Sequence, residues 1–82
     1  MTYAIVFKPR SVKDLKAIAA DETRRIIAKV EELQNDLAGD VKKLTNFTPE
    51  YRLRVGNYRV LFEVECDTII IYRVRHRKDI YK

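Results

Sequence analysis

The sequence predicts an α+β domain in which a helical hairpin packs on one face of a small, mainly antiparallel sheet, in the order β-α-α-β-β-β. Three observations carry this. Between residues 12 and 37 apolar side chains recur at three- and four-residue spacing, the period of a helix face. From Tyr51 to Val64 the period becomes two, and Gly56-Asn57 interrupts the alternation as a tight turn does. From Ile69 to Tyr72 four consecutive residues are apolar, the pattern of a central strand buried on both faces.

Each element follows from its residues. Tyr3 to Phe7 is mostly β-branched or aromatic and ends at Pro9, which suits a short strand leaving a sheet. Ser11 is placed to cap a helix with Asp14 in its first turn and Val12, Leu15, Ile18 and Ala19 on one face. Asp21 is placed to cap a second helix, striped by Ile26, Ile27, Val30, Leu33 and Leu37 and closed by Gly39. A polar connection with Lys42, Lys43 and Pro49 leads to the hairpin Tyr51–Val55 and Tyr58–Val64, with Gly56 supplying positive φ at the first turn position. A turn at Cys66 and Asp67 then starts the last strand, Thr68 to about Arg75.

With 82 residues and no linker or repeat, residues 1–82 are expected to form a single domain. A hydrophobic fraction of 46% argues against disorder. One cysteine, Cys66, cannot form an internal disulfide, which together with the lack of a targeting signal or an 18-residue apolar run points to the cytoplasm and away from membranes. One His, one Cys and scattered carboxylates give no metal-ligand set, and two glycines make no phosphate loop, so no metal or other cofactor is expected.

Charge is unevenly placed. Residues 1–41 hold seven basic and seven acidic side chains, and residues 42–82 hold ten and five, so the whole excess of five positive charges lies in the sheet half. A one-sided basic surface is a docking surface for a polyanion. A two-residue turn pairs Val55 with Tyr58 and so sets Arg54 opposite Arg59, with Arg52 further along the same face. Leu53, Val55, Tyr58, Val60, Phe62 and Val64 fall on the other face, under the helices. Strict alternation on the last strand puts Ile69 and Ile71 on one face with Arg73, Arg75 and Arg77, an apolar stretch turning basic. A single strand arginine is commonly just a solvated residue that discourages aggregation. A self-repelling cluster is better explained by an anion among its members, and guanidinium suits bidentate phosphate contact.

The chain ends in Arg75-His76-Arg77-Lys78-Asp79-Ile80-Tyr81. His76 is either a surface residue or a general base, since the cations beside it favour the neutral, proton-accepting ring. Tyr81 is either a packing residue or a stacking platform for a base. Lys42, Lys43, Arg52, Arg54, Arg73 and Lys78 complete the set of candidate phosphate contacts.

The run from Tyr51 to Phe62, Tyr-Arg-Leu-Arg-Val-Gly-Asn-Tyr-Arg-Val-Leu-Phe, with the later His-Arg-Lys-Asp-Ile-Tyr of residues 76–81, resembles the RelE/ParE toxin superfamily, closest to its RelE-type members. The resemblance implies the toxin of a type II toxin–antitoxin pair that cleaves mRNA on the ribosome. The RNA 2′-hydroxyl attacks the adjacent phosphate without a metal, leaving a cyclic phosphate and a 5′-hydroxyl. Carried over, the family pattern makes Arg59 and one of Arg75 or Arg77 stabilisers of the phosphorane and gives Tyr81 a stacking or proton-transfer role. Arg52 and Arg54 stand where the best-known ribosome-dependent members carry lysines; arginine holds a phosphate but cannot act as a base, so that role passes to His76 or Tyr81. The implied partners are mRNA, the ribosome and a cognate antitoxin, in a toxin–antitoxin hetero-oligomer. A ParE-like inhibitor of DNA gyrase and a non-catalytic, antitoxin-binding corepressor are the alternatives.

Overall fold

The computed structural model describes residues 2–46 and 48–79. The order is β1 (Ala4–Phe7), α1 (Pro9–Lys16), α2 (Ala20–Glu32), β2 (Val41–Lys43), β3 (Tyr51–Val55), β4 (Tyr58–Glu65) and β5 (Thr68–His76). The five strands form one sheet in the order β1-β5-β4-β3-β2, antiparallel except where β1 pairs with β5. The strand with four consecutive apolar residues, β5, is interior to the sheet. Two-residue turns at Gly56-Asn57 and Cys66-Asp67 join β3 to β4 and β4 to β5, in the registers Val55↔Tyr58 and Glu65↔Thr68. Gly56 has φ 57, the positive value its turn position requires.

The helices depart from expectation at their ends. Helix α1 begins at Pro9, not after Ser11: proline lacks the N–H that the first helical position leaves unpaired anyway, and its fixed φ suits that position. Lys8 is the N-cap, and Ser11 is fully buried within the helix, its hydroxyl donating to the Lys8 carbonyl at 2.7 Å. Helix α2 is preceded by Ala19, and Asp21 lies in its first turn without a side-chain cap bond. It stops at Glu32, short of Gly39, because Gln34 and Asn35 turn to the first strand: the Gln34 side-chain amide donates to the Tyr3 carbonyl at 3.0 Å, and Asn35 bridges Thr2. Asp36 and Leu37 then take left-handed φ values of 56 and 60. The Thr23 hydroxyl donates to the Leu15 carbonyl at 3.1 Å and ties the two helices together.

The core lies between the helices and one sheet face. Ile26, Val30 and Leu33 meet Leu53, Val60, Phe62, Ile69 and Ile71, each at most 1% exposed. Burial of each such side chain contributes about 1.5–3 kcal/mol, and Phe62 also stacks on Tyr51 with ring centroids 5.3 Å apart.

The strand Val41–Lys43 was not expected: three residues, two of them charged, are too short to display alternation, and pairing of Val41 with Leu53 through Lys43 with Tyr51 makes them a strand. A second difference corrects the faces of the last strand. The β4–β5 register shifts between Leu61 and Phe62, so Leu61 faces Arg73 while Phe62 faces Ile71, and Tyr72 is the extra residue of a β-bulge. Ile69 and Ile71 therefore share the core face with Val74, and Arg73 and Arg75 lie on the opposite one.

Candidate nucleic-acid interface

The face away from the helices carries two basic rows that no local stretch of chain contains. Arg54 pairs with Arg59, and Arg59 with Arg75, which sets three arginines side by side on three adjacent strands. The next row runs Lys42, Arg52, Leu61, Arg73 across β2 to β5. Leu61 is only 6% exposed yet stands apart from the main core. Two like charges about 6 Å apart repel by about 0.7 kcal/mol even in water, a cost that the partners of each arginine offset and that an anion among them would relieve further.

Carboxylates and carbonyls hold these side chains. Asp40, just before β2, lies 3.7 Å from the Arg52 guanidinium and 4.0 Å from that of Arg54, and its backbone carbonyl accepts from the Arg54 N–H at 2.9 Å. Arg59 Nη1 donates to the carbonyls of Gly56 and Tyr58, both at 3.1 Å, which draws it toward the hairpin turn. Arg75 Nη2 donates to the Asp79 carbonyl at 3.3 Å.

Arg73 is held by a carboxylate from α1. Asp14 of α1 accepts from its Nε at 2.8 Å and Nη2 at 3.1 Å, and also from the Val74 N–H at 2.9 Å. Burial pushes the Asp14 carboxyl up, but the hydrogen bonds from Arg73 and Val74 and the attraction of Arg73 and Arg75 outweigh it and hold the carboxyl below its ordinary value. The same contact raises Arg73 above the usual guanidinium value. This fork fastens α1 to β5 where β1 has ended.

The remaining expected residues are placed differently. His76 pairs with Tyr58 and shares its face, opposite the arginine row, with the two rings edge to face at 5.4 Å. Its Nδ1 accepts from the Lys78 N–H at 3.2 Å. Arg77 and Lys78 are exposed in the turn after β5, and the Arg77 N–H donates to the Asn57 carbonyl at 2.7 Å. Lys43 pairs with Tyr51, its ammonium 3.9 Å from Glu50, so it belongs to the other face from Lys42. Tyr81 lies outside the described residues. Among the described residues no three His, Cys, Asp or Glu side chains gather closely enough to hold a metal ion, and no helix is long and apolar enough to cross a membrane. Sequence reasoning missed Asp14 and Asp40 as anchors: Asp14 is 59 residues from Arg73, a separation no motif spans.

A family model described as the ParE toxin of a type II toxin–antitoxin system matches residues 5–81. Toxin RelE3 of Methanocaldococcus jannaschii is 46% identical, over 94% of this chain and 93% of that protein. Among solved structures, the RelB–RelE antitoxin–toxin complex of Methanococcus jannaschii matches at 45% identity and a TM-score of 0.77, covering 93% of this chain and 94% of that one. The archaeal RelE–RelB complex of Pyrococcus horikoshii matches at 28% identity and a TM-score of 0.78, covering 96% and 99%.

Proposed function

The chain belongs to the RelE/ParE family of toxins from type II toxin–antitoxin systems, and from that premise we propose that it is a ribosome-dependent endoribonuclease that cleaves mRNA by attack of a 2′-hydroxyl on the adjacent phosphate. The observation that carries this reading is the row Arg54, Arg59, Arg75, three arginines in register on one sheet face, side chains suited to the charge a phosphate gains in the transition state. In the step, the 2′-oxygen bonds to phosphorus and its proton is lost, the P–O5′ bond breaks, and the 5′-oxygen takes up a proton. Arg59 and Arg75 neutralise the phosphorane; Arg52, Arg54 and Lys42 hold flanking phosphates. Arg77 and Lys78 bind backbone further along the strand.

For proton transfer, His76 stands with Tyr58 on the sheet face opposite the arginine row, away from a phosphate held there. Tyr81 is then the partner for the 2′-hydroxyl proton.

The reading also includes a cognate antitoxin, the partner in both archaeal complexes described above. Between α1 and α2 runs an apolar groove of about 580 Å³ lined by Phe7, Val12, Leu15, Ile18 and Ile27, with Lys16 and Arg24 among its lining residues. It fits the apolar side of an amphipathic segment with acidic flanks. A gyrase-inhibiting role is favoured by one feature, the arginines at positions 52 and 54, which grip anions without being able to take a proton. One experiment separates the two: mRNA ends are mapped in a reconstituted translation reaction with and without ribosomes, and gyrase supercoiling is assayed in parallel. Ribosome-dependent cleavage supports the ribonuclease, and intact mRNA with inhibited gyrase replaces it.

A further inference from the structure

The β-bulge leaves one aromatic ring without a place in the core. Tyr72 is the residue it adds, half-buried and absent from the main hydrophobic cluster although it ends the apolar run Ile69–Tyr72. Bulges recur beside functional sites because they re-aim a side chain that strict alternation would point elsewhere. Here the ring lines a pocket of about 380 Å³ with Pro9 and Pro49, and with Lys8, Arg10 and Arg73. The Lys8 ammonium sits over the ring, 5.4 Å from its centroid, so that face of the tyrosine is covered by an exposed, flexible side chain and not by the core.

We propose that this pocket is a nucleobase subsite in which Tyr72 stacks one base of the RNA while Lys8 and Arg10 hold its phosphate. The inference rests on the ribonuclease reading and deepens it. Arg73 joins the two regions, since it belongs to the second basic row and also lines the pocket. From Arg75 to Tyr72 is about 10 Å along the strand, so a strand whose scissile phosphate lies at Arg75 reaches the pocket one or two nucleotides away. Anchoring by Asp14 keeps the Arg73 guanidinium still, and a fixed wall beside a ring loses little freedom when a base enters. The base displaces Lys8 from the ring face, and the ammonium moves to the phosphate.

The test is single-turnover cleavage of mRNA on programmed ribosomes, using an unmodified message and a series carrying one abasic residue at each position around the cleaved nucleotide. Loss of one base stack weakens recognition by roughly 5- to 150-fold, and Tyr72→Ala is expected to lower kcat/KM by that factor. Tyr72→Phe keeps the ring and is expected to stay within about twofold of wild type. One abasic position slows the wild-type protein as much as Tyr72→Ala does, and slows Tyr72→Ala no further. Wild-type rates for Tyr72→Ala, alongside an inactive Arg59→Ala, overturn the subsite and leave the ribonuclease reading standing. Unchanged cleavage with weakened antitoxin binding assigns the pocket to a protein and also overturns it. Absence of cleavage by the wild-type protein removes the ribonuclease reading and the subsite together.

Discussion

Replacing Asp14 tests how the basic face is held to the rest of the molecule. Its carboxylate accepts three hydrogen bonds, two from the Arg73 guanidinium and one from the Val74 N–H, and only 17% of its side chain is exposed. Each hydrogen bond to a charged group contributes about 1.5–3 kcal/mol, and an amide left buried without a partner costs about 1–3 kcal/mol. The Arg73 side chain keeps 26% of its surface in solvent and regains water when released, so the sum is discounted to about 2–3 kcal/mol for Asp14→Ala. In a domain this small that lowers Tm by about 10–20 °C. Asp14→Asn retains one acceptor but loses the charge, and is expected to cost about half as much.

The dependence on pH has a fixed sign. The folded-state carboxyl is held below the ordinary value of 3.8, so its contribution is complete above that value and is lost as pH falls through the lowered one. Urea unfolding of wild type and Asp14→Asn should therefore give a constant difference from about pH 5 upward, closing as the pH drops below about 4. A difference under about 0.5 kcal/mol, the size of an exposed ion pair, or one that does not change with pH, refutes the clamp.

Other predictions follow from the same geometry. Arg75→Ala slows cleavage on programmed ribosomes by about 10²–10³-fold, whereas Arg77→Ala, in the exposed turn, slows it less than about tenfold; equal losses would undo the choice of Arg75. Arg54→Gln lowers the slope of log affinity against log salt for single-stranded RNA by about 0.7, measured by titration at four or more salt concentrations. Gly56→Ala destabilises by about 1–2 kcal/mol in urea, because φ is 57; the Arg25 guanidinium beside it is the end of an exposed side chain and swings aside.

The sequence made the β3–β4 hairpin legible residue by residue, because the turn residues and the alternation both act over a few positions. Arg54 opposite Arg59, and Leu53, Val60 and Phe62 in the core, followed from that register alone. The third arginine of the row was assigned to the wrong face, because strict alternation holds only until a bulge and the signal for this bulge lies in the pairing of two strands. Strand β2 was invisible for a related reason: its three residues form a strand by pairing with β3, not by their own pattern. Helix interiors were clear from their stripes. Their ends were not, since Pro9 reads equally as a strand terminus or a first helical residue, and the stop at Glu32 depends on Gln34 meeting Tyr3. In the site, residue types pointed to phosphate, but the anchoring of Arg73 by Asp14 belongs to packing across the chain.

Arg59 is the middle member of the row. The most direct measurement is the single-turnover rate of mRNA cleavage on programmed ribosomes for wild type and Arg59→Ala, with the thermal unfolding of both recorded. The arginine row predicts a fall of about 10²–10³-fold in a protein that still unfolds cooperatively, the bonds lost from Arg59 to the Gly56 and Tyr58 carbonyls lying at or near the surface. Cleavage by Arg59→Ala at the wild-type rate would contradict it.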